Sequence, residues 1–469
     1  MSEDGTNFDL VIIGGGPGGY GAALYGAAAG LDVALVEMHK LGGTCLHVGC
    51  IPAKELLETA HVLRTVKEAA EFGVNAGEPT LDIDVSMARK QAVIDQLTAG
   101  VGQLLKGRKV TMFDGVGSLG ADRQVSISGG ESGDVTVTGT HVILASGSKP
   151  RSIPGFDVDG SIVMTSDEVL SLDRVPAPAA IIGGGAIGCE FASALADFGT
   201  EVTVLEALPK ILAGCDDDVT KVVERAFKKR GITVKTGAMV QGHTPHGNGT
   251  VLDLGDVESL DDELLVVSVG RRPFPDLLGL DGTGVQLDER NFVVVDEYCR
   301  TSAPGVYALG DLVDTPQLAH VAFAEAIMVI KHLLGEDPLP VDYTKVPWAI
   351  YCQPEVAFAG HTEASAIEAG YDVLVSKHRF IGNSRAKIVG STDGMVKIIA
   401  EKLDDGSGGQ ILGVHMAGPW VTEQLGQGYL AVNWEATVDE VAEFIQPHPT
   451  LSELFGESVL AMTGRSLHG

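Results

Sequence analysis

The sequence carries the same nucleotide-binding pattern twice, and that repetition constrains its fold more than any other feature. Residues 8–13 form an apolar run suited to a strand buried on both faces. G-x-G-x-x-G comes next at Gly14, Gly16 and Gly19, then an alanine-rich helix and a strand, 33–36, closing on Glu37. The pattern returns as strand 179–182, a fingerprint at Gly183, Gly185 and Gly188 with Ile187 inside it, and strand 202–205 closing on Glu206. Each acid stands eighteen residues after its last fingerprint glycine. The glycines let the backbone approach a pyrophosphate at the helix N-terminus, and the acid accepts from a ribose hydroxyl. Two such βαβ units imply two dinucleotides. A flavin and a nicotinamide are the economical pair, each supplying chemistry that side chains lack.

A chain of 469 residues is too long for one core and suggests three or four domains. Its 61 glycines and 5% aromatics fit an α/β protein with many tight turns. A net charge of −30 argues against nucleic acid and anionic membranes as partners. It suits solubility, a basic protein partner or a salty cytoplasm. Residues 10–31 hold no charge and are long enough to span a bilayer, but Pro17 and eight glycines make them a poor membrane helix. The acidic start, Met1 to Asp4, does not read as a leader, so a cytoplasmic location is expected. Of six cysteines, Cys189, Cys215, Cys299 and Cys352 stand alone and read as packing residues. No metal site is expected.

Cys45 and Cys50 sit five apart within residues 42–54. A five-residue step in a regular helix turns about 500°, so the thiols would face different sides. Bridging them requires a distorted segment, which Gly49 permits. Pro52 suits the first turn of a helix expected from residue 55 onward. A thiol at a helix N-terminus is expected to have a lowered pKa. The residues alone allow a structural disulfide, two buried thiols or a redox pair; the position just after a fingerprint favours the last.

Residues 42–54, with Cys45, Cys50 and Lys54, resemble the redox-active disulfide motif of the pyridine nucleotide–disulfide oxidoreductases, most closely their dihydrolipoamide-oxidising branch. His47 stands where asparagine is usual and Ala53 where serine or threonine is usual. The resemblance covers essentially the whole chain. It implies an α/β fold with two Rossmann-like dinucleotide-binding domains and a C-terminal α+β dimerisation domain. The expected limits are 1–150 for the FAD-binding domain, 151–274 for the NAD-binding domain, 275–345 for a central domain completing the FAD site and 346–469 for the dimerisation domain. Gly147 falls in the chain crossing between the nucleotide domains, and Gly270 and Arg272 close the second. Gly310 and Asp311 match the segment that binds the ribityl chain of FAD, although a helix-capping aspartate is the plainer reading of Asp311. Lys54 and Glu190 match a pair beside the flavin ring.

Near the end, His448 and Glu453 match the family's catalytic base and its orienting carboxylate. Thr450 and Glu453 also spell a capping box, so one carboxylate oxygen is expected to cap and the other to hold the imidazole. Gln446-Pro447 replaces a frequent His-Ala pair. By the resemblance, His448 deprotonates a substrate thiol, Cys45 exchanges with it, Cys50 faces the flavin, and electrons pass through FAD to NAD⁺. The implied partners are a second copy of the chain and the lipoyl domains and acyltransferase core of 2-oxo acid dehydrogenase complexes, or the glycine cleavage system. Mercuric reductases carry a C-terminal cysteine pair, whereas the last cysteine here is Cys352. Reductases using NADPH favour arginine near the second acid, where this chain has Glu206-Ala207-Leu208-Pro209. A role as an assembly subunit or redox sensor is the alternative of another class.

Overall fold

The computed structural model describes residues 6–130, 133–255 and 260–468; the acidic start, Met1 to Asp4, lies outside them. The described residues gather into two compact units. One takes residues up to 56, 82–151 and 270–343, and the other takes 57–81, 152–269 and the chain from 344 on.

The first unit is built on a seven-stranded sheet. Its parallel part runs Thr111–Asp114, Val33–Glu37, Asn7–Ile13, Val135–Leu144 and Val306–Ala308. Gln124–Ser128 and Val116–Leu119 extend it antiparallel. Asn7–Ile13 is buried on both faces. Leu10 and Ile12 pack with Ala22 and Ala23 of the helix Pro17–Ala28 and with Ala326 and Ile330 of the helix Ala319–Leu333. Val11 and Ile13 pack with Val125, Ile127 and Leu312 on the other side. The register pairs Ile13 with Val36 and Leu144, and Leu144 with Ala308. Gly14, Ala145 and Gly310 therefore emerge together at the carboxyl ends of the strands, where open α/β sheets bind ligands.

The second unit carries a five-stranded parallel sheet in the order Thr233–Thr236, Glu201–Glu206, Pro178–Ile182, Leu264–Val267 and Val163–Thr165. Its register sets Ile182 beside Leu205 and Val267, which brings Gly183 and Ser268 to one edge. A second, antiparallel sheet of five strands runs Trp348–Ile350, Glu355–Gly360, Gly408–Gly418, Met395–Lys402 and Val373–Arg379. Helices Val421–Asn433 and Glu453–Ala461 cover it through Leu425, Leu454 and Phe455.

A buried ion cluster joins these two parts of the second unit. Lys397 Nζ, on the antiparallel sheet, is 2.9 Å from both Asp216 oxygens, 2.9 Å from Asp218 Oδ2 and 2.7 Å from Glu363 Oε2. Burial pushes Asp218 up, but hydrogen bonds from Lys377 and Lys397 outweigh it and hold the carboxyl at about 2. Removing Lys397 would strand its carboxylates, and breaking a buried pair costs about 3–5 kcal/mol. Among the described residues no helix is long and apolar enough to cross a membrane. Residues 10–31 instead form a strand, a turn and a helix.

Candidate active site

At Gly14 the backbone is left-handed, with φ +108°, and a Cβ would lie 2.3 Å from the Ala145 carbonyl oxygen. At Gly183 φ is +107°, and a Cβ would lie 2.5 Å from the Ser268 oxygen. Gly19 and Gly188 pack so closely on the oxygens of Gly14 and Gly183 that neither admits a side chain. Gly16 and Gly185 cap the helices Pro17–Ala28 and Ala186–Phe198 without any side-chain cap. A Cβ at Gly185 would meet nothing within 4 Å, and one at Gly16 would meet only the Gly43 Cα at 3.9 Å. Bare backbone and open space at a helix N-terminus fit a pyrophosphate at both loops. Ile187 is the second residue of its helix.

Glu37 Oε2 accepts from Gly15 N at 2.6 Å, and its Oε1 accepts from His39 N at 2.8 Å. Glu206 does the same with Gly184 N at 2.6 Å and Leu208 N at 2.8 Å. The two acids brace their loops, and each oxygen keeps a lone pair for a ribose hydroxyl.

Asp311 does not cap a helix. It lies inside the single turn Gly310–Leu312, and the next helix starts at Ala319. Its Oδ2 accepts from Ser148 Oγ at 2.5 Å. Arg271 supports Ser148, donating from Nε to Oγ at 2.7 Å and from Nη2 to the carbonyl at 2.9 Å. Arg272 turns instead to Asp276. Gly147 and Gly270 flank the paired strands Ser148–Pro150 and Arg271–Pro273, both with positive φ.

The cysteine segment is seated on the first fingerprint. Gly42 N donates to Gly15 O at 2.8 Å. Gly43, with φ +55°, packs so tightly that a Cβ would lie 2.7 Å from the Gly16 Cα. Cys45 falls in the short helix Gly43–His47 and Cys50 opens the helix Cys50–Glu68, which starts five residues before the expected 55. Gly49 makes the break between them, since a Cβ there would meet Thr44 O at 2.8 Å and Cys45 Cα at 3.2 Å. His47 Nε2 is 2.8 Å from Leu41 O, so the residue replacing the usual asparagine ties the segment to itself. The Cys45 pKa is raised; Cys50, not Cys45, opens the helix that carries Pro52, the helix start for which a lowered thiol pKa is expected. A hydrogen bond with Cys50 is the largest cause, then burial and the Cys50 charge; Lys54 pulls the other way. Burial, with the charges of Cys45 and Cys50, also raises Tyr20. Cys189, Cys215, Cys299 and Cys352 are buried, as packing residues should be, and burial pushes each thiol up.

His448 Nδ1 lies 3.0 Å from Glu453 Oε2. The same oxygen faces Thr450 N at 3.5 Å, and Glu453 N donates to Thr450 Oγ1 at 3.2 Å. The division of labour expected between the two oxygens is thus replaced: Oε2 serves both turn and imidazole, while Oε1 faces Asn383 Nδ2 at 3.4 Å. An Nδ1–H donated to Glu453 leaves Nε2 free as a base. Glu190 is buried, and its Oε1 accepts from Tyr351 N at 2.8 Å.

Three contributors escaped the sequence reading. Glu325 is fully buried, accepts from Gly310 N at 2.7 Å and from Tyr343 OH at 2.9 Å, and so fixes the turn carrying Asp311. Burial raises its pKa, with the Gly310 and Tyr343 hydrogen bonds partly opposing. An acid amid the apolar run 321–330 was its one sequence signal. Arg271 and Asn383 gave none, because their partners lie far along the chain.

Residues 8–326 match the family model described as pyridine nucleotide-disulphide oxidoreductase, and residues 346–459 match that family's dimerisation domain. The chain is 42% identical to a dihydrolipoyl dehydrogenase of Bacillus subtilis, covering 99% of each. It is 36% identical to the mitochondrial dihydrolipoyl dehydrogenase of Pisum sativum, covering 98% of this chain and 92% of that one. The solved structure of LpdA from Mycobacterium tuberculosis matches with a TM-score of 0.90 at 26% identity, over 97% of this chain and 99% of that one. With its two braced nucleotide loops and a cysteine pair seated on the first, this chain belongs to the pyridine nucleotide-disulphide oxidoreductases.

Proposed function

We propose that the chain is a dihydrolipoyl dehydrogenase, oxidising dihydrolipoyl groups to the cyclic disulfide and reducing NAD⁺, with FAD and NAD as cofactors. The observation that carries this reading is the Cys45–Cys50 pair, held in contact and bound through Gly42 and Gly43 to the first nucleotide loop. Gly14, Gly16, Gly19, Glu37, Gly147, Gly310 and Asp311 would hold FAD. Gly183, Gly185, Ile187, Gly188, Glu206, Gly270 and Arg272 would hold NAD, and Lys54 and Glu190 would flank the flavin ring. The flavin and nicotinamide supply the hydride chemistry that carries an electron pair away from the cysteines.

The chain's own residues do the thiol chemistry. His448 Nε2 takes a proton from one substrate thiol. The thiolate attacks Cys45 Sγ of the oxidised pair, forming a mixed disulfide and releasing Cys50 as thiolate. The second substrate sulfur then attacks the substrate sulfur of the mixed disulfide, and its proton passes to the departing Cys45 sulfur. This closes the lipoyl ring and releases Cys45, so two electrons leave the substrate and reduce the cysteine pair. Lys54 stabilises the negative charge that develops on the thiols.

The domain limits at 150, 274 and 345 belong to this reading, as do a cytoplasmic setting and lipoyl domains on an acyltransferase core as partners. The test is steady-state turnover of the purified protein. Dihydrolipoamide with NAD⁺ should be a far better pair than glutathione disulfide with NADPH, and the reverse order would overturn the assignment. In a two-fold dimer a base can serve the partner's cysteines. A mixed dimer of Cys45→Ser and His448→Ala chains should then keep roughly half of wild-type activity, although loss of a base costs each site of the His448→Ala homodimer about 10²–10⁴-fold. Activity at the mutant background would place the base within its own chain.

A further inference from the structure

Asn383 sits just before the short helix Ser384–Ile388 and is only 4% exposed. Its Oδ1 accepts from Ala386 N at 2.9 Å and caps that helix. This fixes the orientation of the amide, because Nδ2 then faces two acceptors: Thr450 O at 2.9 Å and Glu453 Oε1 at 3.4 Å. The other Glu453 oxygen meets His448 Nδ1 at 3.0 Å. One planar side chain thus ties a helix start, the backbone of the histidine's turn and the carboxylate that orients the imidazole. Thr450 Oγ1 on Pro447 O at 2.8 Å and Gln427 Nε2 on Ser452 O at 3.0 Å close the same turn. His448 itself is 72% exposed, so little else in its own chain fixes the ring.

We propose that Asn383 is a positioning residue for His448, acting through Glu453 and the Thr450 turn; this rests on the reading of His448 as the base. The amide N–H faces one carboxylate oxygen and favours its charged form, so the other oxygen stays an acceptor for Nδ1–H. Aspartate could cap the helix as well but cannot donate, and it would set a second negative charge beside Glu453. Serine could also cap but is too short to hold both acceptors.

Three proteins test this: wild type, Asn383→Ser and Asn383→Asp. Each is assayed for kcat/KM of dihydrolipoamide across pH and for NADH–ferricyanide reduction, which bypasses His448. The serine variant should lose about tenfold in kcat/KM, the scale of one hydrogen bond to a charged group. Its limb for His448 should move to lower pH, because a less well placed carboxylate stabilises imidazolium less. The aspartate variant should move that limb to higher pH, because added negative charge favours imidazolium. Ferricyanide reduction should stay within about twofold of wild type in both, since the side-chain partners of Asn383 are Ala386, Thr450 and Glu453 and none belongs to a nucleotide loop. On a His448→Ala background, Asn383→Ser should cost nothing more. Wild-type pH profiles in both variants would overturn the inference, and so would a parallel loss of ferricyanide reduction. A wild-type protein that reduces ferricyanide but leaves dihydrolipoamide untouched would overturn the functional reading itself, and this inference with it.

Discussion

The two nucleotide loops are braced alike, with a glutamate taking two backbone N–H groups at 2.6 and 2.8 Å in each. Their surroundings differ. Against the first loop lies the cysteine segment, with Gly42 N on Gly15 O and Gly43 against Gly16. The corresponding backing of the second loop is Leu212 N on Gly184 O, from a stretch whose one cysteine, Cys215, is buried and has no second cysteine near it in sequence, and Gly185 faces open space. A shared motif therefore marks where a dinucleotide binds. The segment after the second strand of each unit differs: the first loop carries a cysteine pair against it, and on the proposed reading the second would be left open for an exchangeable nucleotide.

The sharpest break of this comparison removes the thiol from the first loop. Cys45→Ser should lose dihydrolipoamide oxidation to background, because serine is no exchange thiol at neutral pH. NADH–ferricyanide reduction should persist, since both loops remain. Normal dihydrolipoamide turnover would end the role given to Cys45. The next effect concerns the seam. Gly43→Ala would force an alanine into the left-handed region against the Gly16 backbone. The purified protein should carry substoichiometric flavin while NADH binding, measured by calorimetry, holds. Gly185→Ala should do the opposite: a methyl group in the open cradle should raise the KM for NAD⁺ with flavin content unchanged. Equal effects of the two substitutions on flavin would mean that the loops are not specialised as described.

The local patterns were legible in the sequence and the distant ones were not. Strand, glycine turn, helix and acid lie within about thirty residues of chain, and their spacing alone defines the βαβ unit. The break at Gly49 was likewise visible from the requirement that two thiols meet. The rise in the Cys45 pKa comes from the second thiol, which outweighs Lys54 and lies outside anything a helix-terminus rule describes. The early helix start at Cys50 was missed because Pro52 is tolerated anywhere in a first turn. Residues 57–81 group with the second unit although they precede the rest of the first, a long-range outcome that no local pattern encodes. Lys397 and Asn383 read as ordinary polar residues until their partners, 181 and 67 residues away, are brought to them.

The smallest expected effect separates two jobs that fall on one carboxylate. Glu206 braces its loop through Gly184 N and Leu208 N, and it stands where an adenosine ribose would bind, so its charge should repel a 2′-phosphate. The wild type should prefer NAD⁺ to NADP⁺ strongly. Glu206→Gln removes the charge and keeps one oxygen for one of the two N–H groups. Glu206→Ala removes charge and both acceptors. If selectivity comes from charge, both variants should narrow the ratio of kcat/KM for the two nucleotides by a similar factor, about tenfold for one hydrogen bond to a charged group. If it comes from the brace, alanine should raise the KM for NAD⁺ well above the glutamine value, because only alanine frees both N–H groups. Glu37→Gln serves as the matching change in the first loop. It should weaken flavin retention without touching nucleotide choice, since no exchangeable nucleotide is read there. A wild-type protein using both nucleotides equally, or a Glu37→Gln variant with altered nucleotide choice, would erase the distinction between the two loops.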